Sequence, residues 1–308
     1  MRFNKLDLNL LVALDMLLSE ASISRAAEQL HMSQPAMSNA LSRLRTYFED
    51  ELLVQVGRRM ELTPRAEMLK DAVRDVLVRI DSSITAQPEF VPATSNREFR
   101  IFVSDFTLST LMPYVLARAY AQGPRIRFSL LPQVEEPTRS LERAEVDMLV
   151  MPSNFCTPEH PTENLFSERF QCLVWEQSPL AHGALSVDRY LAAGHVEMRP
   201  PAINASSLEA QLFTREGLSR RVDVTCFSFA SAPALIVGTD RIATVHGRLA
   251  KQATARYPVV IREAPLELPP MNQVLQWHCY RTNDPGIAWL RGIFHSAVLD
   301  MDRKIADN

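Results

Sequence analysis

No stretch of this 308-residue chain approaches the roughly 18 uninterrupted apolar residues of a membrane-spanning helix. Its opening, MRFNKLDLNL, puts Asp7 where a secretion signal would be purely apolar. The expected location is therefore the cytoplasm, with no membrane partner. Cysteine is scarce. Cys156, Cys172, Cys226 and Cys279 lie far apart and form no CxxC pair and no Cys/His cluster with zinc-ligand spacing. That excludes a disulfide scaffold or zinc finger and leaves reduced, mostly buried thiols and no metal as the expectation. A GxSxG elbow, a P-loop, GxGxxG and HExxH are all missing, and with them the common signatures of catalysis. The chain has no internal repeat and no low-complexity tract. It also lacks a surplus of positive charge: 33 Lys+Arg against 36 Asp+Glu give a net −3, which for the whole chain argues against a nucleic-acid partner. One local absence reverses that argument. Gln29 to Thr46 holds no acidic residue, although Glu28 and the run Glu49, Asp50, Glu51 sit on either side, so a phosphate backbone would meet no repulsion there.

What is present begins with helices. Leu6, Leu10, Leu14 and Leu17 make one apolar stripe over residues 6–18. Ser22 caps a short second helix whose Ile23, Ala26, Ala27 and Leu30 share a face. After a break at His31 and Met32, Ser33 caps a third helix with Pro35 in its first turn, where a missing N–H costs nothing. Met37, Leu41, Leu44 and Phe48 form its buried edge; the opposite side carries Pro35, Ser38, Asn39, Ser42 and Thr46, flanked by Arg43 and Arg45. On an isolated helix this face reads as solvated surface. Behind so tight a turn it reads as a helix-turn-helix, whose short side chains let the helix sit deep in a major groove. Two short strands, Leu52 to Val56 and Met60 to Leu62, flank Gly57, Arg58 and Arg59. This basic hairpin is either a wing touching DNA backbone or minor groove, or a solvated turn.

From Arg65, Ala66, Leu69, Val73, Val76 and Ile80 recur at coiled-coil spacing, which predicts a helix that pairs with a copy of itself before a polar linker through Pro88 and Pro92 to Arg97. The remainder alternates strands and helices, the mark of parallel α/β layers. Strands are expected at 99–103, Ile126 to Leu131, Val146 to Met151, Phe170 to Trp175, His195 to Met198, Val222 to Phe227, Ile242 to Val245 and Val274 to Tyr280, with one helix from Thr107 to Ala121.

The segment SISRAAEQLHMSQPAMSNALSRLR, followed by the hairpin and TPRA, resembles the DNA-binding domain of LysR-type transcriptional regulators. FRIFVSDF, EVDMLVMP, VGTDRIATVHGRLA and QWHCYRTNDPGIAWLRGIF extend the likeness along the chain. They resemble the branch of nodulation regulators and of naphthalene, salicylate, nitrotoluene and chlorinated-aromatic regulators. The resemblance implies an α/β protein with a winged helix-turn-helix over residues 1–62, a dimerising linker helix over 63–90, and an effector domain over 91–308. That domain would hold two α/β lobes like a periplasmic binding protein, lobe one spanning 97–170 and 273–302 and lobe two 171–272. It implies binding of double-stranded promoter DNA, contact with RNA polymerase, a homodimer assembled into a homotetramer, and no cofactor. Ser33, Gln34, Pro35, Ser38, Asn39, Ser42 and Arg43 become the DNA-reading set, with Arg58 and Arg59 as wing contacts.

Ligands of open α/β sheets collect beyond the carboxyl ends of strands. That rule selects Ser104, Asp105, Phe106 and Thr107, then Pro152 and Asn154, then His195, then Phe227, Ser228 and Phe229, and His246. Aromatic walls with few polar groups suit a small aromatic inducer, a phenol, hydroquinone or benzoate. Phe227, standing where aromatic-sensing relatives carry a histidine, favours the less charged phenols. The expected function is activation of an aromatic-degradation operon. Phe106, Phe227 and Phe229 read equally as core, Asp105 as a helix cap, and His195 or His246 as satisfied core histidines. A redox sensor, or an enzyme working in the cleft, are the rival functions. The first needs an activated thiol near a resolving cysteine and the second a base touching a nucleophile.

Overall fold

A computed structural model describes residues 7–57, 59–80, 89–134, 136–199, 213 and 217–306. The chain divides into two compact units, residues 1–86 with 142–144 and residues 87–141 with 145–308.

The first unit opens with α1 (Leu8–Glu20), whose start is capped by Asp7 accepting from the Asn9 amide at 2.9 Å. Leu6, assigned by its spacing to the apolar stripe, lies outside the described residues. α2 (Ile23–Gln29) and α3 (Gln34–Phe48) are capped by Ser22 and Ser33. Each cap hydroxyl accepts a backbone amide that the helix itself cannot satisfy. His31, at φ +53°, makes the turn between them. Leu10, Leu14, Leu17, Ala26, Ala27, Met37, Leu41 and Leu44 close into one core. β1 (Leu53–Val56) and β2 (Arg59–Leu62) pair antiparallel from Leu53↔Leu62 to Val56↔Arg59, with Gly57 at φ +62° in the tip.

α4 (Pro64–Ile80) packs on α1 and corrects the coiled-coil reading. Ala66, Leu69 and Val73 face this unit's own core, because the α1 stripe needs a cover. Among the described residues of α4, Met68 at 74% exposure and Val76 at 41% are the large apolar side chains left to solvent.

The second unit carries, among the described residues, two five-stranded sheets. The first has the order β4-β3-β5-β12-β6 and is built from β3 (Glu98–Val103), β4 (Arg127–Pro132), β5 (Met148–Pro152), β6 (Thr162–Glu168) and β12 (Met271–Gln276). The second has the order β11-β7-β10-β8-β9 and is built from β7 (Phe170–Trp175), β8 (Gly194–Met198), β9 (Arg221–Cys226), β10 (Arg241–His246) and β11 (Val259–Glu263). We call the first sheet with its helices lobe one and the second lobe two. β3 runs parallel to β4 and β5, and β8 parallel to β9 and β10. The layers are not parallel throughout: β12 is antiparallel to both its neighbours, and so is β7. These two reversed strands are the ones that follow a crossover, β7 entering lobe two from β6 through Arg169 and β12 returning to lobe one from β11.

The expected helix over 107–121 is broken into α5 (Asp105–Thr110) and α6 (Met112–Gln122). Pro113 has no N–H to donate backward, which ends a continuous helix there. α7 (Pro137–Glu142), α8 (Val187–Ala192), α9 (Ala232–Ile236), α10 (Gly247–Thr254) and α11 (Pro285–Ala306) complete the layers. One hydrophobic cluster runs through both lobes, joining Phe99, Phe106, Met148 and Leu275 to Val196, Ala243, Val245 and Leu249.

Candidate functional site

On α3 the burial follows the helical period: Met37, Ala40, Leu41 and Leu44 point inward, while Ser33, Gln34, Pro35, Ser38, Asn39, Ser42 and Arg43 are exposed. The seven expected DNA-reading residues therefore share one free surface. Arg43 stays 56% exposed with its guanidinium 3.8 Å from the Asp7 carboxylate. Two flanking residues are committed elsewhere. Arg45 donates to the Glu51 and Leu53 carbonyls, both at 2.7 Å, and so ties α3 to the hairpin instead of reaching for phosphate. Thr46 spends its hydroxyl on the Ser42 carbonyl at 3.1 Å. Asp50 is committed too: it accepts from the Thr63 hydroxyl at 2.6 Å and the Leu52 amide at 2.7 Å, and these bonds hold its carboxyl below the ordinary carboxylate range. Arg59 is exposed beside the Gly57 turn, and Arg58 lies outside the described residues.

In the second unit the structure brings together part of the expected effector set. Ser104 caps α5, accepting the Thr107 amide at 3.2 Å, and Thr107 in turn accepts from buried Gln273 at 3.1 Å. Asp105 is not the cap. Its carboxylate reaches across to lobe two and accepts the Ala230 amide at 3.0 Å. The Phe106 ring lies 4.4 Å from the imidazole of His246, and Phe229 and Phe170 stand 4.8 and 4.9 Å from the same imidazole. Burial among these rings pushes His246 down to about 3, and its Nδ1 has no hydrogen-bond partner among the described residues. A neutral imidazole with an uncommitted ring nitrogen, held where the lobes meet, is able to receive or give one hydrogen bond to a phenolic group.

Other members of the set are not brought there. His195 is fully buried on the other face of β8 from Val196, hydrogen-bonded through Nε2 to the Tyr190 carbonyl at 2.7 Å and edge-on to the Tyr190 ring. Burial pushes it down to about 4. Alternation along a strand sends neighbours to opposite faces, and His195 falls on the outer one. Phe227 is 73% exposed, so it is neither core nor an enclosed wall. Ser228 accepts the Ser231 amide at 3.2 Å, Pro152 is half-buried, and Asn154 is exposed on the turn after β5.

Two features escape sequence reasoning. At the crossover a cleft of about 330 Å³ is lined by Glu168, Arg169, Gln171, Gly247, Arg248 and Lys251 among others. Inside it Arg248 bridges Glu168 at 2.7 Å and Asp302 at 2.8 Å. Elsewhere in lobe one His160, His278 and Cys279 gather, although no spacing in the chain announces them. Of the four cysteines Cys172 alone is fully buried, and Cys156, Cys226 and Cys279 are half-buried, a correction to the mostly buried expectation. Burial raises the Cys156 thiol to about 11 and the Cys226 thiol in the same direction, away from the activated state a redox sensor needs.

A helix-turn-helix with a hairpin in one unit and a two-lobed α/β receptor in the other define a bacterial transcription regulator. The chain matches the family described as bacterial regulatory helix-turn-helix protein, lysR family, over residues 8–67, and the LysR substrate binding domain over residues 92–298, and it belongs to the LysR family. It is a DNA-binding regulator and not an enzyme. Its sequence is 42% identical over 300 residues to nodulation protein D 1 of Sinorhizobium fredii, covering 96% of this chain and 91% of that one. Nodulation protein D 1 of Bradyrhizobium japonicum is likewise 42% identical, covering 96% and 92%. Among solved structures, a full-length OxyR variant from Pseudomonas aeruginosa superposes with a TM-score of 0.72 at 15% identity over 95% of this chain and 94% of that one, which speaks for the fold. The regulatory domain of MexT, a transcriptional activator in Pseudomonas aeruginosa, is 25% identical with a TM-score of 0.58 over 67% of this chain and 100% of its own. The expected link to aromatic catabolism gains no support from these relatives. Among the described residues no helix is long and apolar enough to cross a membrane.

Proposed function

We propose that this chain is a transcription activator of the nodulation protein D kind, in which a flavonoid-type phenolic inducer bound between the two lobes controls how the protein holds promoter DNA. The 42% identity over nearly the whole chain supports the class of regulator and the move from a single-ring inducer of catabolism to a flavonoid. One observation carries the site: Asp105 and Phe106 of lobe one meet Ala230, Phe229 and His246 of lobe two in a hydrogen bond and a ring cluster. A flat polyphenol fits such a meeting, since its rings replace ring contacts and its hydroxyls face one carboxylate and one neutral imidazole. Occupying that junction changes the lobe arrangement only through a difference in affinity between closed and opened lobes.

On the DNA side, Ser33, Gln34, Pro35, Ser38, Asn39, Ser42 and Arg43 read the major groove and Arg59 meets phosphate. Dimers form through α4, tetramers from dimers, and the activated assembly contacts RNA polymerase. A thermal-shift panel tests the inducer. At 100 times its Kd a ligand stabilises the native state by about 2.7 kcal/mol. Flavones, flavanones or isoflavones raise the Tm, and Asp105→Ala and Phe229→Ala weaken that binding tenfold or more. A shift with benzoate or salicylate and none with flavonoids would overturn the inducer class.

A further inference from the structure

We propose that His160, His278 and Cys279 form a binding site for a borderline-soft transition-metal ion, with Zn(II) as its representative, at the end of the lobe-one sheet away from the inter-lobe junction. The metal-capable atoms of the three side chains lie within 4.8 Å of one another. His160 is 8% exposed and His278 4%, their rings 4.7 Å apart. The Cys279 Sγ stands 3.9 Å from His278 Nδ1. Around one tetrahedral ion with N and S ligands, neighbouring ligand atoms are about 3.3 to 3.8 Å apart. The Cys279–His278 pair is close to that spacing already, and the widest separation closes with about 1 Å of side-chain movement.

The backbone on both sides is fixed. Gln276, fully buried at the end of β12, donates to the Thr157 carbonyl at 2.7 Å and the His160 carbonyl at 3.2 Å and accepts the Thr157 amide at 3.3 Å, so the segment carrying His160 is clamped to the strand carrying His278. The turn beyond β12 is closed by the Arg281 amide on the His278 carbonyl at 2.9 Å and anchored by Arg281 to Asp147 at 2.6 Å. Along β12, Gln273 donates to Thr107, next in sequence to Phe106 of the junction, while Gln276 at the strand's last position holds this cluster.

Two neutral imidazoles and a thiolate suit Zn(II), Co(II) or Cu(I) and not the hard cations that want oxygen. On binding, the Cys279 thiol gives its proton to solvent. His278 Nδ1 exchanges the Tyr280 amide, a long 3.2 Å hydrogen bond, for the metal. Cys279 is half-exposed, so water can complete the coordination. Cys156 takes no part: its Sγ is directed to the Pro152 carbonyl at 3.9 Å and it packs with the Phe102 cluster. A bound ion ties the segment after β5 to the turn after β12 and makes the stability of lobe one depend on metal supply.

The test is a Co(II) titration of the untagged, reduced, metal-stripped full chain. The expected result is a near-ultraviolet sulfur-to-cobalt charge-transfer band that saturates at one equivalent and is displaced by Zn(II). Cys279→Ser abolishes the band, His160→Ala weakens binding at least tenfold, and Cys156→Ser leaves it unchanged, each variant being checked for native circular dichroism. Without any variant, Zn(II) should shield Cys279 from iodoacetamide, as located by mass spectrometry. Absence of a saturable band, a band retained by folded Cys279→Ser, or Cys279 alkylated equally fast with and without Zn(II) would each overturn the site.

Discussion

Short side chains are what the outer face of α3 offers to DNA in the proposed reading. Ser38, Asn39 and Ser42 are exposed there and leave room for the helix backbone to approach base edges, and each good base contact discriminates by about 1 to 3 kcal/mol. Asn39→Ala should therefore flatten preference at one or two operator positions, measured by binding to a set of point-substituted operators. Arg59→Ala should weaken all sequences alike and lower the slope of log affinity against log salt by about 1. Arg248 carries a different load. It is paired with Glu168, which is 3% exposed and whose carboxyl burial keeps above its ordinary range despite the guanidinium. Removing one partner of a buried pair strands the other, at about 3 to 5 kcal/mol. Arg248→Met should accordingly lower the unfolding free energy from denaturant titration by that amount, whereas a change within about 0.5 kcal/mol would show the pair to be dispensable. At this scale the caps Ser22 and Ser33 were legible in the chain, because a cap is decided within three residues. Arg45 was not, since its acceptors exist only once the hairpin has folded back on α3. Nor was the direction of His195, which depends on which face of β8 the neighbouring layer covers.

The elements divide along the same line. α1, α2 and α3 follow from periodicity and caps, and the β1–β2 hairpin from two short apolar runs around Gly57. β6 went unseen because Leu165 and Phe166 are adjacent in an otherwise polar TENLFSE, so no alternation marks it, and β11 because VVIRE is a short run behind Pro258. The α4 stripe was visible but not its partner: the same spacing serves a coiled coil or a cover for α1, and the core takes Ala66, Leu69 and Val73. The proposed pairing of two copies through α4 then rests on Met68 and Val76, which this helix leaves exposed. Met68→Glu with Val76→Glu should split the dimer in sedimentation velocity and cost little stability to the unit itself, since both side chains already face solvent. Retention of the dimer would move the interface off α4.

For the whole molecule, alternation of strands and helices announced α/β layers but not the two reversed strands, whose direction comes from crossing between lobes, a non-local event. The meeting of Phe106, Phe229 and His246 was legible only as residues at strand ends. Their closure into a ring cluster needed both lobes. That closure has a pH consequence. His246 and His195 are held to about 3 and about 4, below the ordinary 6.5, so the unfolded chain takes up protons that the folded chain refuses. Stability is full above pH 6.5 and falls as the pH drops through that window, by at most about 1.4 kcal/mol per pH unit for each histidine. His246→Phe should lessen the fall in Tm between pH 7 and pH 5; an unchanged slope would mean that His246 is protonated in the folded protein.

In the proposed function a ligand at the lobe junction governs DNA binding by α3. Fluorescence anisotropy of a labelled fragment from upstream of the protein's own gene, with and without flavonoid, tests it most directly when wild type is compared with Asp105→Ala. The flavonoid should change the affinity or salt slope of wild type, while Asp105→Ala should bind the bare DNA equally well and respond to the ligand at least tenfold less. An equal response in both proteins, or none in a wild type that binds the DNA, would contradict it.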